Sequence, residues 1–201
     1  MQSARDEVLA RVRAALRDVS AGEAPEPAPY EPPPAPAGDP VERFAERVAD
    51  YRATVREAED LAATIARVCD EHGARRIGVP AELPWRPDAI ELVEDRGLSA
   101  RELDALDGAL TGCALAIAET GTIVLDGGER SGRRALTLVP DLHLCVVERA
   151  QVVATVPEAI RALEGRRGPF TFVSGPSATS DIELDRVEGV HGPRRLEVLL
   201  A

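Results

Sequence analysis

The sequence contains no lysine, few aromatic residues and only three cysteines. All 24 basic residues are arginine, which excludes Schiff-base chemistry by lysine and the lysine of phosphate-binding P-loops. Aromatic residues make up 3% of the chain, so the aliphatic side chains must supply the core. The three cysteines are far apart and form no C-x-x-C pair, so no iron–sulfur cluster or structural zinc site is encoded locally.

Charge and hydropathy exclude further classes of protein. The chain has 35 acidic and 24 basic residues and a net charge of −11. Binding a polyanion requires a basic face, so we expect no nucleic-acid partner. The N-terminal stretch lacks the apolar core of a signal peptide, and no stretch approaches the length of a membrane-spanning helix. We therefore expect a cytoplasmic protein with reduced thiols.

The first forty residues differ in character from the rest of the chain. Val8, Val12 and Leu16 recur at helical spacing and predict an amphipathic helix. Eight of the 16 prolines follow in one stretch, which predicts an extended tether. The helix is either a solvated appendage or a docking element for a partner chain. The predicted organisation is an N-terminal helix at 1–19, a proline-rich linker at 20–40 and a domain at 41–201.

The pattern within the domain predicts an α/β fold. An apolar stripe that begins at Pro40 and stops near Gly73 predicts one long helix. Short apolar runs bounded by turn residues then predict strands, among them 76–79, 113–118 and 122–126. Strands that are apolar throughout and alternate with helices indicate a sheet covered on both faces. Consecutive strands joined by short turns indicate an antiparallel part. We predict a three-layer α/β/α sandwich with a mixed sheet and a detached N-terminal helix.

One candidate binding element is the turn in the stretch AETGTIVL. Glu119 ends a predicted strand, and Thr120, Gly121 and Thr122 form the turn. Glycine permits a positive φ and a close approach of the backbone to a ligand, and the hydroxyls and free amides could hold an anion. The alternative is a hairpin turn whose hydroxyls satisfy local backbone groups. The arginine-rich loop at 127–134 has two interpretations as well, a guanidinium site for a carboxylate or phosphate or a solvated hairpin tip.

A second candidate is the loop that follows the predicted strand TFVSG. Ser, Thr and Asp cap helix N-termini, whose free amides form a ready anion site. Ligands of open α/β sheets also gather beyond the carboxyl ends of the strands. We therefore predict that this loop binds substrate. Its candidate residues are Ser174, Gly175, Pro176, Ser177, Thr179 and Asp181.

The stretch HGPR near the C-terminus is the third candidate. His191 can exchange protons near neutral pH, and Arg194 can hold a carboxylate through two hydrogen bonds. Gly192 helps to set a path that presents both side chains. A base beside a carboxylate clamp suits the oxidation of a 2-hydroxy acid. The alternative is a tight turn in which Asp181 pairs with Arg194 structurally.

Four ordered stretches, AIAETGTIVL, LTLVPDLHLCVVE, SGPSATSDIE and GVHGPRRLEVLL, resemble the motifs of the lactate utilisation protein C family and its LUD domain. The resemblance implies a fold similar to the sugar-phosphate isomerase and CoA-transferase (NagB/RpiA/CoA-transferase-like) superfamily. It also implies a subunit of an iron–sulfur-dependent system that oxidises L-lactate to pyruvate. The iron–sulfur clusters would then belong to two partner proteins, and this chain would carry no cofactor.

Under this interpretation Arg194 holds the substrate carboxylate and His191 accepts the hydroxyl proton, as the two catalytic residues. The turn at 119–122 and the loop at 174–181 would line the same pocket. Two alternatives remain open. The chain could be a non-catalytic subunit that assembles or regulates the complex, or a stand-alone enzyme that transfers CoA or isomerises a sugar phosphate.

Overall fold

The computed structural model describes residues 4–18, 31, 34, 36–166, 168–179, 187, 188 and 191–201. The chain divides into two units, Met1–Pro33 and Pro34–Ala201. The first unit contains helix α1 (Ala4–Ala15), which lies in the predicted helical segment and buries none of its residues. None of the helices in the described residues has the length and apolar character needed to cross a bilayer.

Besides one 3₁₀ helix (Arg149–Gln151), the second unit contains four further α-helices and twelve strands in the described residues. In chain order they are α2 (Pro40–Asp50), β1 (Thr54–Glu57), α3 (Leu61–Glu71), β2 (Arg76–Val79), β3 (Glu91–Glu94), α4 (Ala100–Asp104), β4 (Gly108–Gly112), β5 (Leu115–Ile117), β6 (Thr122–Leu125), β7 (Leu142–Val147), β8 (Val152–Val153), α5 (Val156–Leu163), β9 (Thr171–Val173), β10 (Ala178–Thr179), β11 (Val187–Glu188) and β12 (Arg195–Leu200).

The prediction of one long helix from residue 40 to 73 is wrong. Helix α2 ends at Asp50, and Arg52 adopts a positive φ of 69° that turns the chain out of the helix. Thr54 and Val55 then pair with β12 as strand β1, a pairing that suits β-branched residues. Helix α3 begins afresh after Asp60, whose side chain accepts a hydrogen bond from a backbone N–H of the first turn at 3.0 Å. Pairing with a distant strand thus outweighs the local helical pattern.

The strands form two larger sheets and one small one. The six-stranded sheet has the order β1-β12-β7-β4-β2-β3, and every neighbouring pair is parallel. The four-stranded sheet has the order β8-β5-β6-β9, with β6 antiparallel to both of its neighbours. Strands β10 and β11 pair antiparallel by themselves. The predicted α/β class with both strand directions is confirmed: the six-stranded sheet is wholly parallel, and the four-stranded sheet is mixed, since β5 pairs with β8 in parallel.

Both faces of the six-stranded sheet are covered, because its side chains alternate between two cores. In β7, Leu144 and Val146 join a cluster with Ile65 and Val68 of α3. The intervening Cys145 joins a second cluster. That second cluster also holds residues from α2 and from the four-stranded sheet: Phe44, Val48, Ala116, Ile123 and Leu125.

The four-stranded sheet is covered in turn by α5. Ala159 and Leu163 of this helix pack with Leu115, Ile117 and Val124 of strands β5 and β6. The four-stranded sheet therefore lies between α5 and the core that it shares with the six-stranded sheet. This layering brings the end of β9 to the starts of β7 and β12, where the chain forms a cavity.

Candidate functional site

A cavity of about 240 Å³ lies where the loop after β9 meets the first residues of β7 and β12. Pockets for drug-sized ligands occupy roughly 300–1,000 Å³, so this volume suits a small metabolite. The lining residues are Arg134, Thr137, His143, residues 171–177, residues 191–193 and Leu196.

The cavity lies at the amino edge of the parallel sheet. His143 and Leu196 line it, and each is the second residue of its strand. In open α/β sheets, ligands gather instead beyond the carboxyl ends of the strands. The predicted loop does follow the carboxyl end of β9, but β9 belongs to the other sheet. The predicted loop therefore lines a cavity, but this cavity lies at the amino edge of the six-stranded sheet and not at the carboxyl edge that the rule for open parallel sheets indicates.

The two predicted loops meet in this cavity. The backbone N–H of Ser177 donates to the carbonyl of Pro193 at 2.8 Å. In return, the Ser177 hydroxyl accepts a hydrogen bond from the backbone N–H of His191 at 3.1 Å. The structure thus brings together the predicted residues Ser174 to Ser177, His191 and Gly192, all of which line the cavity.

The turn at residues 119–122 supports the cavity from outside. A row of hydroxyls links Thr120, Thr122 and Ser174, with successive oxygens 2.7 Å apart. Gly121 has the expected positive φ of 61°, but the backbone that approaches it is that of helix α2. The Glu119 carboxylate accepts a hydrogen bond from the backbone N–H of Val156 in the first turn of α5. None of the four turn residues, Glu119 to Thr122, lines the cavity.

Gly175 also owes its identity to packing. Its φ is 90°, and a Cβ atom there would lie 2.5 Å from the Cβ of Tyr51. Two predicted residues lie farther along the loop. Thr179 belongs to β10, and Asp181 lies outside the described residues.

Arg194 does not line the cavity. Its guanidinium donates two hydrogen bonds to the carboxylate of Asp141, at 3.0 and 2.6 Å. Both side chains face a separate depression of about 120 Å³. The structure therefore separates the predicted carboxylate clamp from His191, three residues earlier in the sequence.

The cavity contains a different guanidinium, that of Arg134. It donates to the carbonyl and the hydroxyl of Thr137, at 2.9 and 3.1 Å, and to the carbonyl of His191 at 3.3 Å. Within the described residues no carboxylate forms an ion pair with it. Burial lowers the pKa of Arg134, because the charged form loses solvation. The loop that the sequence marked as a possible anion site has Arg130, Arg133 and Arg134 at its basic end, and of these Arg134 lines the cavity.

His143 is a lining residue that the predicted site omitted. It is 2% exposed, and its Nε2 lies 2.8 Å from the hydroxyl of Thr111 in β4. Burial, with a smaller contribution from the charge of Arg134, lowers the pKa of His143 to about 4. The imidazole is therefore neutral at physiological pH. The stretch LTLVPDLHLCVVE that carries the family resemblance includes His143, but the apolar pattern around it is that of a buried strand and does not indicate an adjacent cavity.

The described residues contain no group of three or more His, Cys, Asp or Glu side chains that could hold a metal ion. The three cysteines, Cys69, Cys113 and Cys145, are buried and unbridged. Burial raises the pKa of the Cys69 thiol to about 11. The cavity thus offers a guanidinium, imidazoles and hydroxyls. That set of groups suits a small anion that carries further hydrogen-bonding oxygens.

The fold and the cavity together define an α/β domain with a small cavity whose lining suits a polar ligand. Comparison with known proteins narrows this class, since the LUD domain family matches residues 41–201. The chain belongs to the LUD domain family.

Two named relatives and one solved structure illustrate the similarity. A protein called Lactate utilization protein C from Deinococcus radiodurans is 46% identical over 209 residues, which cover 98% of this chain and 95% of that protein. A protein of the same name from Bacillus pumilus is 40% identical over 91 residues, 42% of this chain and 38% of that one. The crystal structure of a DUF162 family protein from Deinococcus radiodurans has a TM-score of 0.69 and 39% sequence identity. It covers 82% of this chain and 99% of its own.

Proposed function

We propose that this chain is a subunit of a cytoplasmic, iron–sulfur-dependent system that oxidises L-lactate to pyruvate. The names of its relatives support a role in lactate utilisation, and the relative from Deinococcus radiodurans matches over nearly the whole chain. The oxidation releases two electrons and two protons. In this proposal the iron–sulfur clusters of two partner proteins accept the electrons, and this chain binds the substrate without a cofactor of its own.

The observation that carries the proposal is the guanidinium of Arg134 in the cavity. It has five N–H donors, and its partners among the described residues are neutral oxygens of Thr137 and His191. In the part of the chain that the structure describes, this half-buried cation has no carboxylate partner, and such a cation favours the binding of an anion. A lactate-sized carboxylate would satisfy the remaining donors and fits the volume of about 240 Å³.

His191 is the residue that we propose as proton acceptor. Its backbone is held on both sides, through the N–H by Ser177 and through the carbonyl by Arg134. Its side chain is exposed at the cavity lining, so a proton taken from the substrate hydroxyl can pass on to water. The predicted role of Arg194 as the carboxylate clamp stays a prediction, and it now competes with the same role for Arg134.

Growth on L-lactate as sole carbon source tests the function and separates the two arginines. A deletion strain would be complemented with the wild type or with one of three variants, Arg134→Gln, Arg194→Gln or Arg101→Gln, the last being an exposed control. We expect the deletion to abolish growth, and Arg134→Gln alone to fail to restore it at equal protein level. Undisturbed growth of the deletion strain would contradict the lactate role. If Arg194→Gln were the only variant that fails to restore growth, Arg194 would be the residue that holds the substrate carboxylate.

A second candidate function is the assembly of the complex. It is favoured by α1 and the turn after it, where Val8, Val12 and Leu16 are 59%, 48% and 56% exposed at a helical spacing. Such a stripe suits binding in a groove of a partner chain. Deleting residues 1–38 should then abolish co-purification of the iron–sulfur partners and leave ligand binding by the domain unchanged. Retained co-purification would contradict the assembly role.

A further inference from the structure

The inner wall of the cavity contains a buried pair of polar side chains, His143 and Thr111. The Thr111 hydroxyl is completely buried and lies 2.8 Å from Nε2 of the imidazole. The strands that carry them are neighbours in the six-stranded sheet, where residue 111 is in register with residue 145. The contact is therefore fixed by the sheet and does not depend on a loop.

The threonine determines which nitrogen of the neutral imidazole carries the proton. Nε2 of His143 is the hydrogen-bond partner of the Thr111 hydroxyl among the described residues. If Nε2 carried the proton, the hydroxyl could only accept, and its own proton would be buried without a partner. That arrangement costs the desolvation of a donor. The favoured arrangement has the hydroxyl donating to Nε2 and the proton of the imidazole on Nδ1.

The Nδ1–H group is then available inside the cavity. No residue in the described part of the chain hydrogen-bonds to Nδ1, and Nε2 is turned toward Thr111. Nδ1 is therefore the ring nitrogen left to face the cavity that His143 lines. The imidazole stays neutral above a pKa of about 4, because burial and the charge of Arg134 disfavour the protonated form. It is consequently a neutral donor beside a cation.

We propose that Nδ1–H of His143, with its tautomer set by Thr111, donates a hydrogen bond to the oxygen at C2 of the bound acid. His143 then determines specificity, and Thr111 positions its proton. The inference rests on the proposed carboxylate site at Arg134. Both a 2-hydroxyl and a 2-oxo group can accept such a bond, so the same donor serves the substrate and the product. The hydroxyl proton of lactate remains free to pass to His191.

The proposal predicts which small acids the cavity prefers. L-lactate and pyruvate carry an oxygen at C2, whereas propionate has the same carbon chain without it. One neutral hydrogen bond corresponds to about a two- to tenfold preference. We therefore expect the full-length protein to bind lactate and pyruvate about two- to tenfold more tightly than propionate.

The test is the dissociation constant of the three acids, measured by calorimetric titration of the full-length protein. The informative variant is Thr111→Val with His143→Phe, because replacing both hydrogen-bonding partners by apolar groups of similar shape can be nearly neutral for folding. Thr64→Val, at another buried threonine, is the matched control. We expect the double variant to bind all three acids equally and the control to keep the preference. Arg134→Gln should weaken all three together.

A second measurement does not depend on any variant. The 15N resonances of the imidazole report the tautomer directly in the wild type, and we expect the proton on Nδ1. A proton on Nε2 would overturn the inference, and so would equal binding of the three acids by the wild type or an unchanged preference in the double variant. If one of these outcomes occurred but Arg134→Gln still weakened the binding of the acids, the proposed function would remain supported. Failure of all three acids to bind would overturn both.

Discussion

The Ser177 hydroxyl accepts a hydrogen bond from the backbone N–H of His191 at 3.1 Å and so joins two segments that are 14 residues apart in the sequence. The backbone bond from Ser177 to Pro193 at 2.8 Å reinforces the junction. Arg134 adds a third contact through the carbonyl of His191. The cavity therefore depends on a few hydrogen bonds between loops, whereas the sheets beneath it are held by extensive packing.

The first prediction concerns that junction. Ser177→Ala should remove about 1 kcal/mol of local stability, because the N–H of His191 loses its acceptor. Amide hydrogen exchange at His191 should accelerate about fivefold, with a small change in the melting temperature. Ser177→Thr keeps the hydroxyl and should behave like the wild type. Unchanged exchange in Ser177→Ala would show that the backbone bond alone holds the loops.

The second prediction concerns the turn that packs on α2. A Cβ atom at Gly121 would lie 2.6 Å from the backbone of Arg47 and Val48, so Gly121→Ala combines a strained φ with a clash. Gly165 has a similar φ of 79°, but a Cβ atom there meets nothing within 4 Å. Gly121→Ala should therefore cost about 2 kcal/mol more than Gly165→Ala in the free energy of unfolding. Urea denaturation of both variants makes the comparison, and equal losses would contradict it.

Most strands of the fold could be predicted from local sequence, and the break in the long helix could not. The capping box of Ser99 and Glu102 begins α4, and every group that it needs is local in the sequence. Strand β1 instead forms because its residues pair with β12, about 140 residues later in the sequence. No periodicity within residues 40–73 reports that distant partner.

In the candidate site, too, the residues with a local sequence signal could be predicted and those that depend on distant partners could not. The loop at 174–177 and the segment at 191–193 were found because their turn residues stand out locally, and the structure joins them. Arg134 and Arg194 compete for the role of carboxylate clamp, and the decision depends on which guanidinium is already paired with a carboxylate of the protein. Arg194 pairs with Asp141, a partner that sequence spacing does not reveal. His143 was missed for a related reason, since a buried strand residue shows no sign of an adjacent cavity.

The third prediction concerns the dependence of stability on pH. The pKa of His143 is about 4 in the folded protein and about 6.5 when unfolded, so the unfolded state takes up a proton first. This contribution is fully present above pH 6.5 and is lost as the pH falls towards 4, by at most about 3 kcal/mol. Urea denaturation between pH 7.5 and 4.5 should show the loss in the wild type.

The variant with Thr111→Val and His143→Phe supplies the control for that measurement. It lacks the titrating imidazole, so its free energy of unfolding should fall less over the same pH interval. An equal fall in both proteins would mean that other groups cause it and that His143 is not held neutral by burial.

The most direct measurement of the central claim is the mapping of amide chemical shifts on titration of the full-length protein with L-lactate. We predict shifts concentrated at the backbone amides of residues 174, 175, 177, 191 and 192 and at Nε–H of Arg134, and the loss of the amide shifts in Arg134→Gln. Shifts centred on Asp141 and Arg194, or no shifts at millimolar lactate, would contradict the assignment of the cavity as a lactate site.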